Sequence, residues 1–328
     1  MVLHQEESLA SSSKGRLAAL ANGDIDMKDN VFQFISHDEK EGVADKPLVS
    51  IITPVLNRVQ YVEECILNIF NQTYPNIEHI FVDGSSTDGT LEVLSRYRAK
   101  NIDRIRYISE PDNGLGDAVN KGWRMAKGEI LGWIDTGDIY ELDTIQAVVD
   151  AFRIYPDVGV VFGGGRMVND KGEFLRTYIT KDFNLKDTIN DRNQMHTPPS
   201  AFYRQVVIRE KDWLLPNSGD SFELHIMAGK SYKIHRIDKL IFTIRLQSDS
   251  ITYSKSGRGL VRESFRTGYL VCRKYGGSIF APRCRRYFIF MVLDRLRLYD
   301  FVVLVVLVRL RRYSFINKLL SKLGMVTN

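Results

Sequence analysis

The sequence predicts an α/β fold, a mostly parallel, doubly wound sheet followed by a C-terminal helical extension. Between Pro47 and Phe162, short apolar runs alternate with segments of helical period. Such alternation is typical of parallel strands joined by helices. From about Tyr253 the pattern becomes that of a separate helical tail. At 328 residues the chain is long enough for one large domain with appendages.

The predicted elements of the first half follow one another in a regular order. Residues 1–46 are polar and form an extension of unassigned role. We expect a first strand that Pro54 stops, and a later strand that runs into Asp135. The predicted strands are Leu48–Thr53, Ile77–Val82, Ile105–Ile108, Gly128–Ile134 and Val158–Phe162. The predicted helices are Tyr61–Phe70, Thr90–Arg98, Asp117–Ala126 and Leu142–Tyr155.

The second half has a less regular pattern. A turn at Asn169–Gly172 predicts a hairpin between Arg166–Val168 and Phe174–Ile179. A helix is expected at Phe222–Ala228, with late strands at Tyr232–Ile237 and Leu240–Leu246. We therefore divide the chain into an extension, a domain of two halves and a tail. The boundaries are 1–46, 47–162 with 163–252, and 253–328.

Composition excludes several classes of protein. The net charge of +5, from 45 basic and 40 acidic residues, is too small to indicate a nucleic-acid ligand. Three cysteines without a C-x-x-C pair favour a reducing compartment over a disulfide framework or a zinc site. No secretory signal is apparent, so we expect a cytoplasmic location. The longest apolar run, Phe301–Val308, is far shorter than the roughly 20 residues of a membrane span.

Two carboxylates follow the central strand. Asp135 and Asp138 come directly after a buried apolar run. Ligands of open α/β sheets lie beyond the carboxyl ends of the strands. Paired carboxylates there suit a hard divalent cation that also binds phosphate oxygens. The alternative is an Asp-rich turn that leads into a helix cap.

A third carboxylate, Asp83, ends the second strand within Val82–Thr90. This segment is neither the G-x-G-x-x-G fingerprint nor a P-loop. A carboxylate followed by small residues can accept a hydrogen bond from a nucleobase N–H. Ser86 or Asp88 can instead cap the following helix, and for Asp88 we favour that interpretation.

Together these segments resemble the family 2 glycosyltransferases, in the family's order and spacing, over about Pro47–Thr252. The matching segments are Ser50–Arg58, Val82–Thr90, Ser109–Gly114 with Asp117–Gly122, and Gly128–Tyr140. The resemblance implies an A-type glycosyltransferase fold with a Rossmann-like nucleotide half. It also implies a nucleotide-diphosphate sugar as donor and Mn²⁺ or Mg²⁺ as cofactor.

The resemblance also implies roles for individual residues. Pro54 and its neighbours Thr53 and Asn57 line the nucleobase pocket, and Asp83 accepts a hydrogen bond from the base, a uracil N–H. The remaining positions are Asp117 and Lys121 near the sugar and diphosphate, and Asp135 and Asp138 in the metal motif.

Three positions depart from the family's pattern. Gly137 stands where the direct metal ligand is usual, Val119 replaces an Arg, and Gln247 replaces a His. Three readings of Gly137 remain open: Asp138 binds the metal, the diphosphate holds most of it, or metal dependence is weakened. A nucleotide-binding relative without catalysis is the alternative from another functional class.

The acceptor side matches the family more loosely. Asp220 is our first candidate for the general base and Glu223 the second. One such base, in the half opposite the nucleotide motif, predicts single displacement with inversion. His225 and His235 are interpreted as ordinary polar residues rather than ligands.

The acceptor itself is expected to be a glycan or a lipid-linked molecule of polysaccharide biosynthesis, with a polyprenyl phosphate as the alternative. The basic and aromatic tail suits a peripheral site on the inner face of the membrane. It equally suits packing on the domain or within an oligomer.

Overall fold

The computed structural model describes residues 46–101, 104–190, 198–209, 221–246 and 257–295. The strands in these ranges are β1 (Val49–Val55), β2 (Ile77–Asp83), β3 (Ile105–Ser109), β4 (Ile130–Trp133), β5 (Ile139–Tyr140), β6 (Val158–Asn169), β7 (Phe174–Tyr178), β8 (Ala201–Arg204) and β9 (Lys233–Leu246). The helices are α1 (Val59–Phe70), α2 (Thr90–Lys100), α3 (Leu115–Met125), α4 (Thr144–Ile154), α5 (Leu185–Ile189), α6 (Gln205–Ile208), α7 (Phe222–Ser231), α8 (Gly257–Lys274) and α9 (Pro282–Arg295).

All described strands belong to one sheet, in the order β3-β2-β1-β4-β8-β6-β9-β5, with β7 paired to β6. The first four are parallel neighbours, which confirms the α/β prediction for this half. Beyond β4 the sheet is mixed, because β8 runs antiparallel to both β4 and β6. Strands β6 and β9 run parallel to each other. The carboxyl ends of β1, β2, β4, β6 and β9 therefore lie at the same edge.

Helices cover both faces of the sheet, and alternate strand residues divide between the two faces. Ile51 packs in a cluster with side chains of α1, α2 and α4. Its neighbour Ile52 packs in a second cluster with α3, α6 and α7. Full burial of one such side chain stabilises the fold by about 1.5–3 kcal/mol. These two apolar layers fix the strands, and thereby the loops at their carboxyl ends.

The prediction that Pro54 stops the first strand is wrong, because β1 continues to Val55 and Pro54 pairs with Val82. The carbonyl of Pro54 accepts a hydrogen bond from the Thr136 hydroxyl, at 3.0 Å. Within a strand the N–H and C=O of one residue face the same neighbour. The missing N–H of Pro54 would therefore have faced β4, and β4 ends at Trp133.

The prediction of two late strands is also wrong, because β9 is one strand of 14 residues. It follows β6 with register shifts between Phe162 and Gly165. Strand β6 continues past the predicted division at residues 162/163, so the two halves share an element. The predicted hairpin is confirmed as β6 and β7.

The helical extension is confirmed over residues 257–295, where α8 and α9 pack together and the Tyr269 ring stacks on Tyr287 at 4.8 Å. Within the described ranges, no helix combines the length and the apolar character that crossing a bilayer requires. The apolar run Phe301–Val308 and the N-terminal extension up to residue 45 lie outside the described residues.

Candidate active site

Asp83, at the end of β2, is fully buried with one carboxylate oxygen held in place. Its Oδ2 accepts hydrogen bonds from the main-chain N–H of Ser86 at 3.0 Å and from the Ser109 hydroxyl at 2.7 Å. Its Oδ1 has no partner among the described residues. A buried acceptor without a donor is costly, so this oxygen suits a ligand N–H.

The loops after β1 and β2 are joined by side chains. The main-chain N–H of Asn57 donates to Ser86 Oγ at 2.7 Å, and Asn57 Oδ1 accepts from the Thr87 N–H at 2.8 Å. Asn57 and Ser85 both have positive φ, 52° and 69°. Such strain persists where surrounding bonds fix the backbone, and it is concentrated at binding sites.

Asp88 has the capping role that the sequence favoured. Its Oδ2 accepts the N–H of Val59 at 2.9 Å, at the start of α1. Its Oδ1 accepts the N–H of Thr90 at 3.0 Å, at the start of α2. Both bonds satisfy donors that a helix leaves unpaired at its N-terminus.

The two carboxylates of the acidic turn are each oriented by one donor. The Trp133 indole donates to Asp135 Oδ1 at 2.8 Å. The main-chain N–H of Arg245, on β9, donates to Asp138 Oδ1 at 3.1 Å. Between them Gly137 has φ of 104°, a left-handed conformation that favours glycine. The turn therefore projects two fixed carboxylates beyond β4.

Burial raises the pKa of Asp135 and raises that of Asp138 further. For Asp138 the negative charge of Asp135 adds to the effect of burial, whereas the bond from Arg245 opposes it. Two buried carboxylates that repel each other favour a bound cation, and their oxygens are the ligands that Mn²⁺ and Mg²⁺ prefer. No group of three metal-ligating side chains occurs in the described part of the chain. The pair thus fits a cation that takes its other ligands from elsewhere.

The loop that carries Asp83 and the turn that carries Asp135 and Asp138 both contact the end of β1. The N–H of Gly84, next to Asp83, donates to the Val55 carbonyl at 2.9 Å. The hydroxyl of Thr136, next to Asp135, donates to the Pro54 carbonyl at 3.0 Å. Consecutive residues of β1 therefore hold the two loops, one on each side of the strand.

The other residues predicted to bind the sugar donor are bonded to groups of the protein itself. The Thr53 hydroxyl is buried and lies 2.9 Å from His79 Nε2. Asp117 Oδ2 accepts the N–H of Asn113 at 3.0 Å, and this bond and the nearby charge of Lys121 lower the pKa of Asp117. Lys121 lies 2.9 Å from the Glu110 carboxylate. Asp117 and Lys121 therefore organise the loop before α3.

On the acceptor side, Asp220 and Gln247 lie outside the described residues. Glu223, in the first turn of α7, is described. Its Oε1 accepts hydrogen bonds from Lys274 Nζ at 2.7 Å and from the Tyr275 hydroxyl at 2.9 Å. The carboxylate of Glu223 is thereby tied to the end of α8 and its following residue.

His225 and His235, interpreted from the sequence as ordinary polar residues, both lie against tyrosine side chains. His225 is buried, with Nε2 2.7 Å from the Tyr203 hydroxyl. The His235 ring lies 4.1 Å from that of Tyr155.

Several residues at the site were not found from the sequence. Trp133 and Asp135 are two positions apart at a strand end, so the period of two was a signal that they share a face. Ser109 pairs with Asp83 in the β2–β3 register, which needs the strand order. Arg245 follows Asp138 by 107 residues, and no local pattern could bring them together.

A profile of the family described as glycosyl transferase family 2 matches residues 50–211. The chondroitin synthase of Escherichia coli is 33% identical over 129 residues, which are 39% of this chain and 19% of that protein. The chain thus spans about a fifth of the length of this curated relative.

Two solved structures have a similar fold. The complex of S. aureus TarS 1–349 with UDP-GlcNAc aligns with a TM-score of 0.54 at 20% identity, over 68% of this chain and 66% of that one. The mannosyltransferase PcManGT from Pyrobaculum calidifontis, in complex with GDP-Man and Mn²⁺, gives 0.53 at 19% identity, over 86% and 80%. Residues 50–211 of this chain belong to glycosyl transferase family 2, within a sheet of the A-type glycosyltransferase fold.

Proposed function

We propose that the protein is an inverting glycosyltransferase of polysaccharide biosynthesis. It transfers a sugar from a nucleotide-diphosphate sugar to a hydroxyl of a glycan or a lipid-linked acceptor. The observation that carries the proposal is that Asp83 and the Asp135–Asp138 turn flank the same end of β1. A donor bound there has its base beside Asp83 and its diphosphate beside the acidic turn.

The unpartnered oxygen of Asp83 selects the base. A single buried acceptor matches the single N–H of uracil, so the donor is a UDP-sugar. Ser86 and Ser109 keep the carboxylate in place by bonding its other oxygen. These two bonds fix the direction in which the free oxygen points, which lowers the ordering cost of binding.

Asp135 and Asp138 would hold the divalent cation. Such a cation would supply positive charge that offsets the negative charge of the leaving diphosphate. Gly137 contributes no side chain, so the protein supplies two carboxylates and the diphosphate supplies further oxygens. The proposal thus combines two of the readings of Gly137 given above: Asp138 binds the metal, and the diphosphate supplies further ligands.

Asp220 acts as the general base. An ordinary aspartate, with a pKa of about 3.9, is ionised at neutral pH and can take the acceptor's proton during in-line attack. Glu223 is the weaker candidate, because its carboxylate already bonds Lys274 and Tyr275. One base and one displacement give inversion at the anomeric carbon.

The tail binds the inner face of an anionic membrane, which brings the enzyme to a lipid-linked acceptor. Exposed apolar side chains at the end of the chain's described part lie next to exposed arginines. They are Ile279, Phe280, Phe288, Ile289, Met291 and Val292, with Arg285 and Arg286. This combination suits insertion of apolar groups between anionic headgroups.

Donor binding tests the function directly. We expect UDP-sugars with Mn²⁺ to stabilise the protein against heat, by about 2.7 kcal/mol at one hundred times the dissociation constant. Asp83→Asn replaces the free acceptor and is expected to weaken UDP-sugar binding about ten- to hundredfold. Asp182→Asn, at an exposed ion pair with Arg236, is the matched control and leaves binding unchanged.

Turnover completes the test. Asp220→Asn is expected to lower kcat about 10²-fold or more while donor binding persists. NMR of the product reports the anomeric configuration. Retention contradicts single displacement, and donor binding without turnover in the wild type favours the nucleotide-binding alternative. No stabilisation by any nucleotide sugar contradicts the whole proposal.

A further inference from the structure

Arg245, one residue before the end of β9, is held on the first helix by an ion pair of fork geometry. Its Nη1 and Nη2 donate to the two oxygens of Glu64, on α1, each at 2.7 Å. The side chains are only 14% and 35% exposed, and the guanidinium lies 5.9 Å from the Tyr61 ring. Such bidentate pairs fix geometry more strongly than single bonds do.

The main chain of the same residue orients Asp138. The N–H of Arg245 donates to Asp138 Oδ1 at 3.1 Å, and the other oxygen of Asp138 receives no hydrogen bond from the described residues. The direction of that second oxygen therefore depends on where the end of β9 lies. Pairing of Arg245 with Val168 holds that end beside β6, and the ion pair to Glu64 ties it to α1.

The orientation of Asp138 matters more because Gly137 lies beside it. Gly137, one of the two residues between the aspartates, has no side chain to share in cation binding, so each of the two carboxylates matters more. Asp135 is oriented locally by Trp133, two positions away. Among the described residues, the donor to the Asp138 side chain lies on a distant strand, whose last residues carry the ion pair.

We propose that the Glu64–Arg245 ion pair is a positioning device that holds Asp138 in the orientation in which its second oxygen binds a divalent cation. The proposal rests on the proposed function, since it concerns the same donor site. Neither Glu64 nor Arg245 is proposed to touch the substrate. Both act by orienting Asp138.

For Arg245→Met, the loss of charge and the loss of positioning predict opposite changes in cation affinity. Arg245→Met removes a positive charge beside two carboxylates, and by Coulomb attraction alone this tightens cation binding. If the ion pair positions Asp138, the same substitution weakens cation binding, because the end of β9 loses its tie to α1 and keeps its pairing with β6. The main-chain N–H remains in every variant, so only its position changes. Arg245→Lys keeps the charge but loses the fork, so only the positioning account predicts weaker binding.

The experiment measures binding of Mn²⁺ to the full chain in the presence of UDP, by the EPR signal of free Mn²⁺. Loss of supporting contacts around metal ligands costs about 10–100-fold in affinity. We expect the dissociation constant to rise about tenfold in Arg245→Met and by a smaller factor in Arg245→Lys. Glu63→Gln is the matched control, because its carboxylate lies on the same helix and binds Arg96 at the surface. It leaves Mn²⁺ binding unchanged.

Each outcome bears on the proposal. Unchanged or tighter Mn²⁺ binding in both Arg245 variants overturns it. Thermal unfolding shows whether Arg245→Met is folded; if it is not, Arg245→Lys, which keeps the charge, decides by the same criterion. Absence of Mn²⁺ binding to the wild type also overturns the inference. UDP binding in EDTA then tests the proposed function separately, since Asp83 binds the base without a metal.

Discussion

At the scale of single residues, the middle of β2 contains a histidine with an unusual environment. His79 is fully buried, with Nε2 2.9 Å from the Thr53 hydroxyl and its ring 4.1 Å from that of Phe81. Burial, and secondarily the charge of Arg104, lowers the pKa of His79 to about 3. The ring is therefore neutral in the folded protein at all moderate pH values.

This histidine makes stability depend on pH. An unfolded His has a pKa of about 6.5, so below that pH only the unfolded chain takes up the proton. The stabilisation is complete above pH 6.5 and is lost as pH falls toward 3, by about 1.4 kcal/mol per pH unit. We expect urea unfolding at pH 7, 6 and 5 to show a shallower loss in His79→Gln than in the wild type.

His235→Gln is the control for this experiment, because the His235 ring lies 4.1 Å from the Tyr155 ring, at a tilt of 37°, and is not fully buried. It retains the wild-type dependence on pH. Parallel pH profiles of the wild type and His79→Gln would show that another group causes the loss.

Some residue roles were predictable and others were not. The capping role of Asp88 followed from its position before a helical pattern, and the structure confirms it. The tie between Glu223 and Tyr275 joins residues 52 positions apart, beyond any local pattern. Local chemistry is therefore predictable from sequence where both partners lie within about one turn or one strand.

At the scale of elements, β5 is too short to be stable by itself. It has two residues, directly after Asp138. The side chain of Asn68, on α1, donates to the Tyr140 carbonyl and accepts the Tyr140 N–H, each at 2.9 Å. The amide thus pairs with β5 as a neighbouring strand would.

Removing this amide is expected to destabilise the fold. Asn68→Ala leaves a main-chain donor and acceptor of the buried Tyr140 unpaired, which costs about 2–3 kcal/mol. Asn101→Ala, which loses one bond to the Tyr97 carbonyl at the end of α2, serves as the control and costs less than about 1 kcal/mol. Urea unfolding measures both, and equal losses would contradict this role of Asn68.

The single strand β9 shows why element boundaries in the second half could not be predicted. Asp238 and Lys239 interrupt the apolar pattern, so the sequence indicated two strands. The partner strand β6 accommodates β9 through glycines. A Cβ at Gly165 would lie 2.2 Å from the Phe242 ring, closer than atoms can approach. This match is visible only once the two strands are paired.

At the scale of the whole molecule, the helical tail presents an apolar surface beside positive charge. Phe288 is 46% exposed on α9, and Arg285 is exposed on the same helix. The same helices are packed together, since Cys284 is buried and the Tyr269 ring stacks on Tyr287 and lies 5.4 Å from the Phe288 ring. Helices α8 and α9 are therefore fixed against each other, while part of Phe288 and Arg285 remain exposed.

Membrane binding by this surface is testable with vesicles. Phe288→Asp is expected to reduce binding to phosphatidylglycerol vesicles about tenfold, because it removes the apolar area that inserts. Phe174→Asp changes a Phe that is 62% exposed on β7 and is the control, with binding retained. Vesicle co-sedimentation measures both variants. Equal loss in both, or no binding by the wild type, would refute membrane association through α9.

The overall architecture was predictable because alternation of strands and helices fixes parallel pairing in the first half. That rule does not give the order β3-β2-β1-β4, which places the Asp83 loop and the acidic turn on the two sides of β1. The antiparallel β8 between β4 and β6 was not predictable, because four residues of strand carry too little pattern. Long-range partners such as Glu64 and Arg245 need the completed sheet.

Pro54 has a consequence for how the binding cleft arises. The ladder between β4 and β1 reaches the bond from the Ile134 N–H to the Ile52 carbonyl, and at Pro54 the ring nitrogen offers no hydrogen to continue it. The Thr136 hydroxyl takes over there as donor to the Pro54 carbonyl. The point at which the acidic turn leaves the sheet is therefore favoured by the covalent structure of one residue.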